Sequence, residues 1–239
     1  MLEEFDKYVK SYDLNDEFIR SKYNHSYRVM ELSKKYAKML NFNDKDVELA
    51  GIIGLLHDIG RFEQFKRYHS FNDLKTIDHA LYGVKELFDN NKIKLFTDKE
   101  EEYDIIKYAI YNHNKYQIDY DPDIRKLKHA KLIRDVDKID IMFIMSNSGL
   151  DIKVSADNIS LEVIDNIKNK TSVNSKFCRN SNDIIVRNLA LAFDINNDVC
   201  LEEMKRNLGY YYNQIEDKSI FKEIYEEVIK YIDDRINGN

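Results

Sequence analysis

The stretch GLLHDIGRF, Gly54 to Phe62, sets an imidazole and a carboxylate side by side, His57 and Asp58, directly behind a run of apolar residues. A divalent cation accepts imidazole nitrogen and carboxylate oxygen together, so this pair reads as part of a metal site. Adjacent residues on a helix point about 100° apart, so one ion takes both only near a helix end or a local distortion. Gly60 stands where a C-terminal cap is expected. Partners must come from other segments. His25 lies in the first long periodic stretch, and Asp137 lies inside HAKLIRDVDKIDIMFIM, where a carboxylate is costly unless paired or metal-bound. His79 in IDHALYG and His113 in AIYNHNK each border an apolar helical stripe. Singly, each has an ordinary explanation: a core histidine with its hydrogen bond satisfied, Asp137 paired with Arg134, Asp58 at the surface. Jointly, four of the six histidines fall at the inner edges of separate helices, beside the two aspartates least suited to apolar surroundings. That joint pattern favours a metal centre.

The elements that position these residues read as helices. Pro occurs once, at Pro122, and Gly seven times, a shortage that disfavours turn-rich β architectures. DEFIRSKYNHSYRVMELSKKYAKML carries Phe18, Ile19, Tyr23, Tyr27, Met30 and Leu40 on one broad apolar stripe. Asn43 with Asp46 resembles a capping box ahead of VELAGIIGLLHDI, which is apolar nearly all round and belongs in the centre of a bundle. RFEQFKRYHSFNDLK reads as a polar, aromatic loop, and a helix is expected from Thr76 to Phe88. Thr97 with Glu100 matches a capping box opening DKEEEYDIIKYAIYNHN. A strongly apolar helix follows from His129 to Met145. Composition shifts after Gly149 toward Asn, Ser and Lys, with later helices expected in SLEVIDNIKNK, from Ile184 to Phe193 and from Ile220 to Ile236. The fold class is therefore all-α: a helical core over residues 1–149 and a helical extension over 150–239 packed on it as one continuous domain.

Composition sets bounds on function. The formal net charge is -6, and no basic patch of the kind general nucleic-acid binding needs is visible. Cys178 and Cys200 are the only cysteines and form no CxxC pair. No run of about 18 apolar residues is present, and the start MLEEFDKYVKSYD lacks a signal core. The expectation is a soluble, cytoplasmic protein with no membrane partner.

The order His25, His57, Asp58, Asp137 resembles the H…HD…D pattern of the HD superfamily of metal-dependent phosphohydrolases. The flanks agree: LLHDIGRFEQF is similar to that family's HDIGR turn, and DVDKID to its ADRLD helix. The resemblance covers roughly residues 20 to 145 and implies an all-helical fold with the site between helices. Histidines such as His79 and His113, between the HD pair and the last aspartate, accompany two-metal members, including cyclic-nucleotide phosphodiesterases, HD-GYP enzymes and HD-fold di-iron oxygenases. By that resemblance Asp58 bridges two ions, His25, His57 and Asp137 complete one, and His79 and His113 complete the other. The alternative is one ion, with His79 and His113 behind it or on the substrate. The Gly-Tyr-Pro motif is absent after His113, where the chain reads NHNKYQIDYDPD.

The expected activity is hydrolysis of a small phosphate ester, with a nucleotide as the leading candidate. Hydroxide formed on one or two divalent ions (Mn, Fe, Mg, Co, Ni or Zn) would attack phosphorus. Developing phosphoryl charge needs cations close by. Arg61 is the first candidate, since its planar fork suits phosphate; Lys66, Arg67, Lys115 and Lys138 stand behind it. Glu63 is a candidate proton shuttle and His69 a candidate donor to the leaving group, while His129 reads as structural or surface. The tyrosines of GYYYNQ, Gly209 to Gln214, read as helix packing ahead of base stacking. Two other functions use the same residues: a di-iron oxygenase, and a nucleotide sensor that binds without turnover.

Overall fold

The computed structural model describes residues 1–149 and 151–238, and it is all-α. Among the described residues there is no strand, only an isolated parallel bridge between Ile152 and Ile215. The helices are α1 (Leu2–Val9), α2 (Glu17–Met39), α3 (Asp44–Leu56), α4 (Ile59–Tyr68), α5 (His79–Phe88), α6 (Tyr103–Asn112), α7 (Ile124–Ser146), α8 (Leu161–Lys168), α9 (Ser181–Leu189), α10 (Leu201–Asn213) and α11 (Lys222–Ile236). Backbone proximity divides the chain into two compact units, Met1–Val136 and Asp137–Asn239. Residues 150–182, over which the composition shift is expected, belong to the second unit, with Leu150 itself outside the described residues. No described helix is long and apolar enough to cross a membrane.

In the first unit α2 lies along α3, α4 on α5, α5 on α6 and α3 on α6. α3 is the buried centre, with Leu49 through Leu56 all inside. Its start is fixed by Asn43, whose Oδ1 accepts from the Asp46 N–H at 3.0 Å while its Nδ2 donates to the Asp46 carboxylate at 2.8 Å. Asp16 caps α2 and Asp78 caps α5 in the same manner, by accepting from backbone N–H groups of the first turn. The first part of α7 is fastened to the head of α3: Arg125 donates to Asp46 at 2.7 Å, and His129 Nε2 donates to the same oxygen at 3.2 Å.

In the second unit α11 packs on α9 and α10, and α8 on α9. The Asp183 carboxylate accepts from the Ser160 N–H and hydroxyl and the Arg179 N–H, fixing the start of α8 to α9. The tyrosines of GYYYNQ serve packing: Tyr211 is buried and accepts from Asn188, and Tyr212 stacks on Tyr225 with ring centroids 4.0 Å apart.

Several expected boundaries move. The segment after the HD pair is not a loop: α4 occupies Ile59–Tyr68, because Ile59, Gly60, Phe62, Gln64 and Phe65 turn inward while Lys66 and Arg67 face out. Gly60 therefore does not cap a helix. It lies in the first turn of α4, where a Cβ would meet the His79 carbonyl oxygen at 2.2 Å and the Gly83 nitrogen at 2.9 Å. Its missing side chain lets α4 touch the start of α5 backbone to backbone. Thr97 makes no capping box either; its hydroxyl accepts from the Lys99 N–H, a 3-10 turn follows at Glu100–Glu102, and α6 begins at Tyr103. α5 starts at His79 and not Thr76, since the Asp78 carboxylate holds the first turn.

Gly60→Ala tests the α4–α5 contact. Forcing a methyl into that backbone should lower unfolding free energy by roughly 1–3 kcal/mol, read as a drop in the urea midpoint at constant slope. An unchanged midpoint would show that the two helices need not touch there.

Candidate metal centre

Helix ends build this site. α3 stops at Leu56, and Asp58 leaves helical geometry (φ -103°, ψ 15°) before α4 begins at Ile59. His57 and Asp58 thus sit at a break between two helices, which lets neighbouring side chains turn to one place. A last-turn carbonyl of a helix has no partner within the helix. At the end of α3 the His57 ring supplies one, its Nδ1 donating to the Gly54 carbonyl at 2.8 Å. The end of α6 repeats the device: His113 Nδ1 donates to the Ile110 carbonyl at 2.7 Å. A carbonyl only accepts, so Nδ1 carries the hydrogen in both rings and Nε2 points away from the helix. Arg134 closes the α6 end further, donating to the carbonyls of Asn112, His113, Lys115 and Tyr116.

Close packing brings the rings together. A Cβ on Gly54 would stand 2.9 Å from the Met30 Cα and the Val29 oxygen, so α3 crosses α2 in near-backbone contact one turn from His25. His25 Nε2 and His57 Nε2 lie 3.2 Å apart. His79 opens α5 beside Gly60, and its Nε2 lies 2.9 Å from His113 Nε2. Its other nitrogen donates to the Asp73 carboxylate at 2.7 Å.

Asp58 stands between the two pairs, 2% exposed. Its Oδ2 lies 3.5 Å from His25 Nε2 and 3.7 Å from His57 Nε2. Its Oδ1 lies 3.2 Å from His79 Nε2 and 3.6 Å from His113 Nε2. Each carboxylate oxygen therefore faces one pair of imidazoles. Burial alone would push the Asp58 carboxyl up; the Lys22 ammonium, then His57, His113 and His79, outweigh it and hold the group well below the usual carboxylate range. Lys22 Nζ donates to Oδ2 at 2.7 Å. Burial pushes the His113 imidazole down to about 4, against the raising effect of Asp58, so the ring is neutral at pH 7.

This donor set fits a divalent cation. Both Nδ1 atoms of His79 and His113 are committed to acceptors. The two Nε2 atoms face each other and one carboxylate oxygen, so three potential ligand atoms converge on one point. Donors about 2.1 Å from one ion and 90–120° apart lie roughly 3.0–3.6 Å from one another. The two groups His25–His57–Asp58 and Asp58–His79–His113 show 2.9 to 3.7 Å.

Of the residues nominated from sequence, the first unit gathers His25, His57, Asp58, His79 and His113. Asp137 is half-buried on α7, at the first position of the second unit. Arg61 is near Asp58, its Nε 3.6 Å from Oδ1. Its Nη1, however, donates to Gln64, the Phe71 carbonyl and Asp73, at 2.8, 2.7 and 2.7 Å. Lys115 is paired with Asp119 and Lys138 with Asp194. Glu63 accepts from Tyr12 and Arg67, and His69 is exposed at the end of α4. His129 is buried, between Asp46 and Phe42. Sequence reasoning missed Lys22 and Asp73. Lys22 stands three residues before His25, one turn away on the same face, a signal available in the spacing. Asp73 belongs to an irregular segment and had no periodic signal.

A family model described as HD domain matches residues 23–142. A search of curated proteins and a search of solved structures each returned no match.

Asp73→Ala should leave His79 unanchored. Loss of such an outer partner typically weakens metal binding 10–100-fold, measurable by competition with a chromogenic chelator. Retained affinity would show that the Asp73–His79 bond does not orient the ring.

Proposed function

The chain belongs to the HD domain family, and from that membership we propose that it is a phosphohydrolase using two divalent ions on a small phosphate ester, a nucleotide first among the candidates. One observation carries the two-ion reading: the oxygens of Asp58 face separate histidine pairs. His25, His57 and Oδ2 would hold one ion, with Asp137 added by the family's H…HD…D order. His79, His113 and Oδ1 would hold the other. Mn, Fe, Mg, Co, Ni and Zn all accept such nitrogen and oxygen donors.

Bound there, the ions would supply an activated water near neutral pH and offset charge on the phosphoryl oxygens. The chain's own residues do the rest. Helix-end hydrogen bonds at Gly54 and Ile110 lock His57 and His113 in the donor tautomer. Asp73 does the same for His79, accepting from its Nδ1. Arg61 ties Asp73, Gln64 and the Phe71 carbonyl into one cluster beside Asp58, which makes it a positioning residue in this reading. Because these imidazoles are committed on both nitrogens once ions are bound, none of them is a proton carrier.

Purified protein should contain close to two metal ions per chain. With Mn, Mg, Co or Ni it should release phosphate from a member of a phosphate-ester panel without oxygen. Asp58→Ala should abolish that release and the bound metal while far-ultraviolet circular dichroism stays unchanged. Oxygen uptake by the iron-loaded protein on addition of substrate would identify an oxygenase instead, and nucleotide binding with no product would identify a sensor.

A further inference from the structure

Along one face of α2 lie Phe18, Lys22 and His25, at helical spacings of four and three. With a rise of 1.5 Å per residue, Lys22 stands about 6 Å along the axis from Phe18, and His25 about 10 Å. The strip runs from solvent to the metal centre. Phe18 is 50% exposed although large and apolar. The Lys22 side chain is 18% exposed with its Nζ 2.7 Å from Asp58 Oδ2. His25 is fully buried.

Phe71 extends the strip from the other side. Its ring centroid is 5.5 Å from the Lys22 ammonium, 5.0 Å from the Phe65 ring and 6.4 Å from the Phe18 ring. Its carbonyl accepts from Arg61, which ties the backbone carrying the ring to α4. An aromatic wall thus stands next to an ammonium that touches the metal-binding carboxylate.

We propose that this strip is the substrate-recognition surface, with Lys22 taking the phosphoryl group and Phe18 with Phe71 taking a planar ring, so that the substrate class is a phosphate monoester of a nucleoside. The inference rests on the phosphohydrolase reading. The other cations nominated for phosphate serve elsewhere: Arg61 is turned to Asp73, Arg67 to Glu63, Lys115 to Asp119 and Lys138 to Asp194, while Lys66 lies over Tyr12. Lys22 is the ammonium held against a donor atom of the centre itself. When ions share the charge of Asp58, its hold on Lys22 weakens, and a flexible ammonium carries three donors to a nearby anion. A ring stacked on an exposed aromatic side chain is recognised by its π face, whichever base it is.

The test uses the full chain loaded with Mn2+ and calorimetric titration with a nucleoside 5′-phosphonate, methylphosphonate and inorganic phosphate, none of which is turned over by hydrolysis. The nucleoside phosphonate should bind at least about tenfold tighter than methylphosphonate, and Phe18→Ala should reduce that ratio roughly tenfold, the scale of one stacked ring. Phe18→Trp should preserve the ratio. Lys22→Met should weaken all three ligands tenfold or more with two ions still bound, and Lys22→Arg should recover part of the loss. Equal affinity for the two phosphonates, or variants that bind as the wild type does, would overturn the inference alone. A wild-type chain that binds no Mn2+ would overturn the phosphohydrolase reading and the inference with it.

Discussion

A carboxylate removed from water costs several kcal/mol unless opposite charge or hydrogen bonds replace its hydration. Asp58 is buried almost completely, and the first unit is arranged to meet that cost. One oxygen takes the Lys22 ammonium and faces His25 and His57; the other faces His79 and His113, with the Arg61 guanidinium beside it. Lys22 and Arg61 come from α2 and α4 and the four imidazoles from α2, the α3 and α6 ends, and α5. A single anion therefore draws five helices to one point. Without it, four imidazoles would face one another with no charge between them, so neither the packing of these helix ends nor their chemistry has meaning apart from Asp58.

Two features of the backbone make the convergence possible. Glycines at 54 and 60 let α3 meet α2, and α4 meet α5, at distances no side chain would allow. Histidines placed one residue past the ends of α3 and α6 use a last-turn carbonyl, a group with spare accepting capacity at a helix end, as a means of aiming a ligand. The same hydrogen bond satisfies the backbone and fixes which ring nitrogen bears the lone pair. Stability and metal affinity are thereby coupled in the same few atoms. Donors fixed in this way lose little further freedom when an ion arrives.

Much of this was legible in the chain. Four residues in H…HD…D order and two additional histidines named a candidate ligand set, five of which the first unit gathers, and apolar periodicity named the helical class. Failures have physical causes. α4 resembles a loop in sequence because Arg61, Glu63, Lys66 and Arg67 dominate its composition, whereas its inward face is short: Ile59, Gly60, Phe62, Gln64 and Phe65. Gly60 looked like a cap because a glycine near a helix end usually is one; its actual role depends on α5, nineteen residues on, which no local rule sees. Lys22 is one of 37 basic residues, and only the fold separates it from the solvated ones. Asp73 reaches His79 from an irregular segment, where periodicity carries no information.

The same contrast explains why chemistry was easier to read than substrate. Metal ligands must be of a few residue types, and each must be fixed to tenths of an ångström, so they leave a mark in the sequence. Recognition of an ester needs only a cation and an apolar surface at a suitable distance, which many residue types provide. Such groups are conspicuous only through their surroundings: a lysine bonded to a buried aspartate, an aromatic side chain left half in solvent, a loop carbonyl tied down by an arginine. α2 holds both kinds of information on one face, with His25 bound by strict geometry and Phe18 and Lys22 bound only by position. All three lie on one continuous helix, so the spacing of Phe18 and Lys22 from His25 is set by the backbone and not by side-chain adjustment.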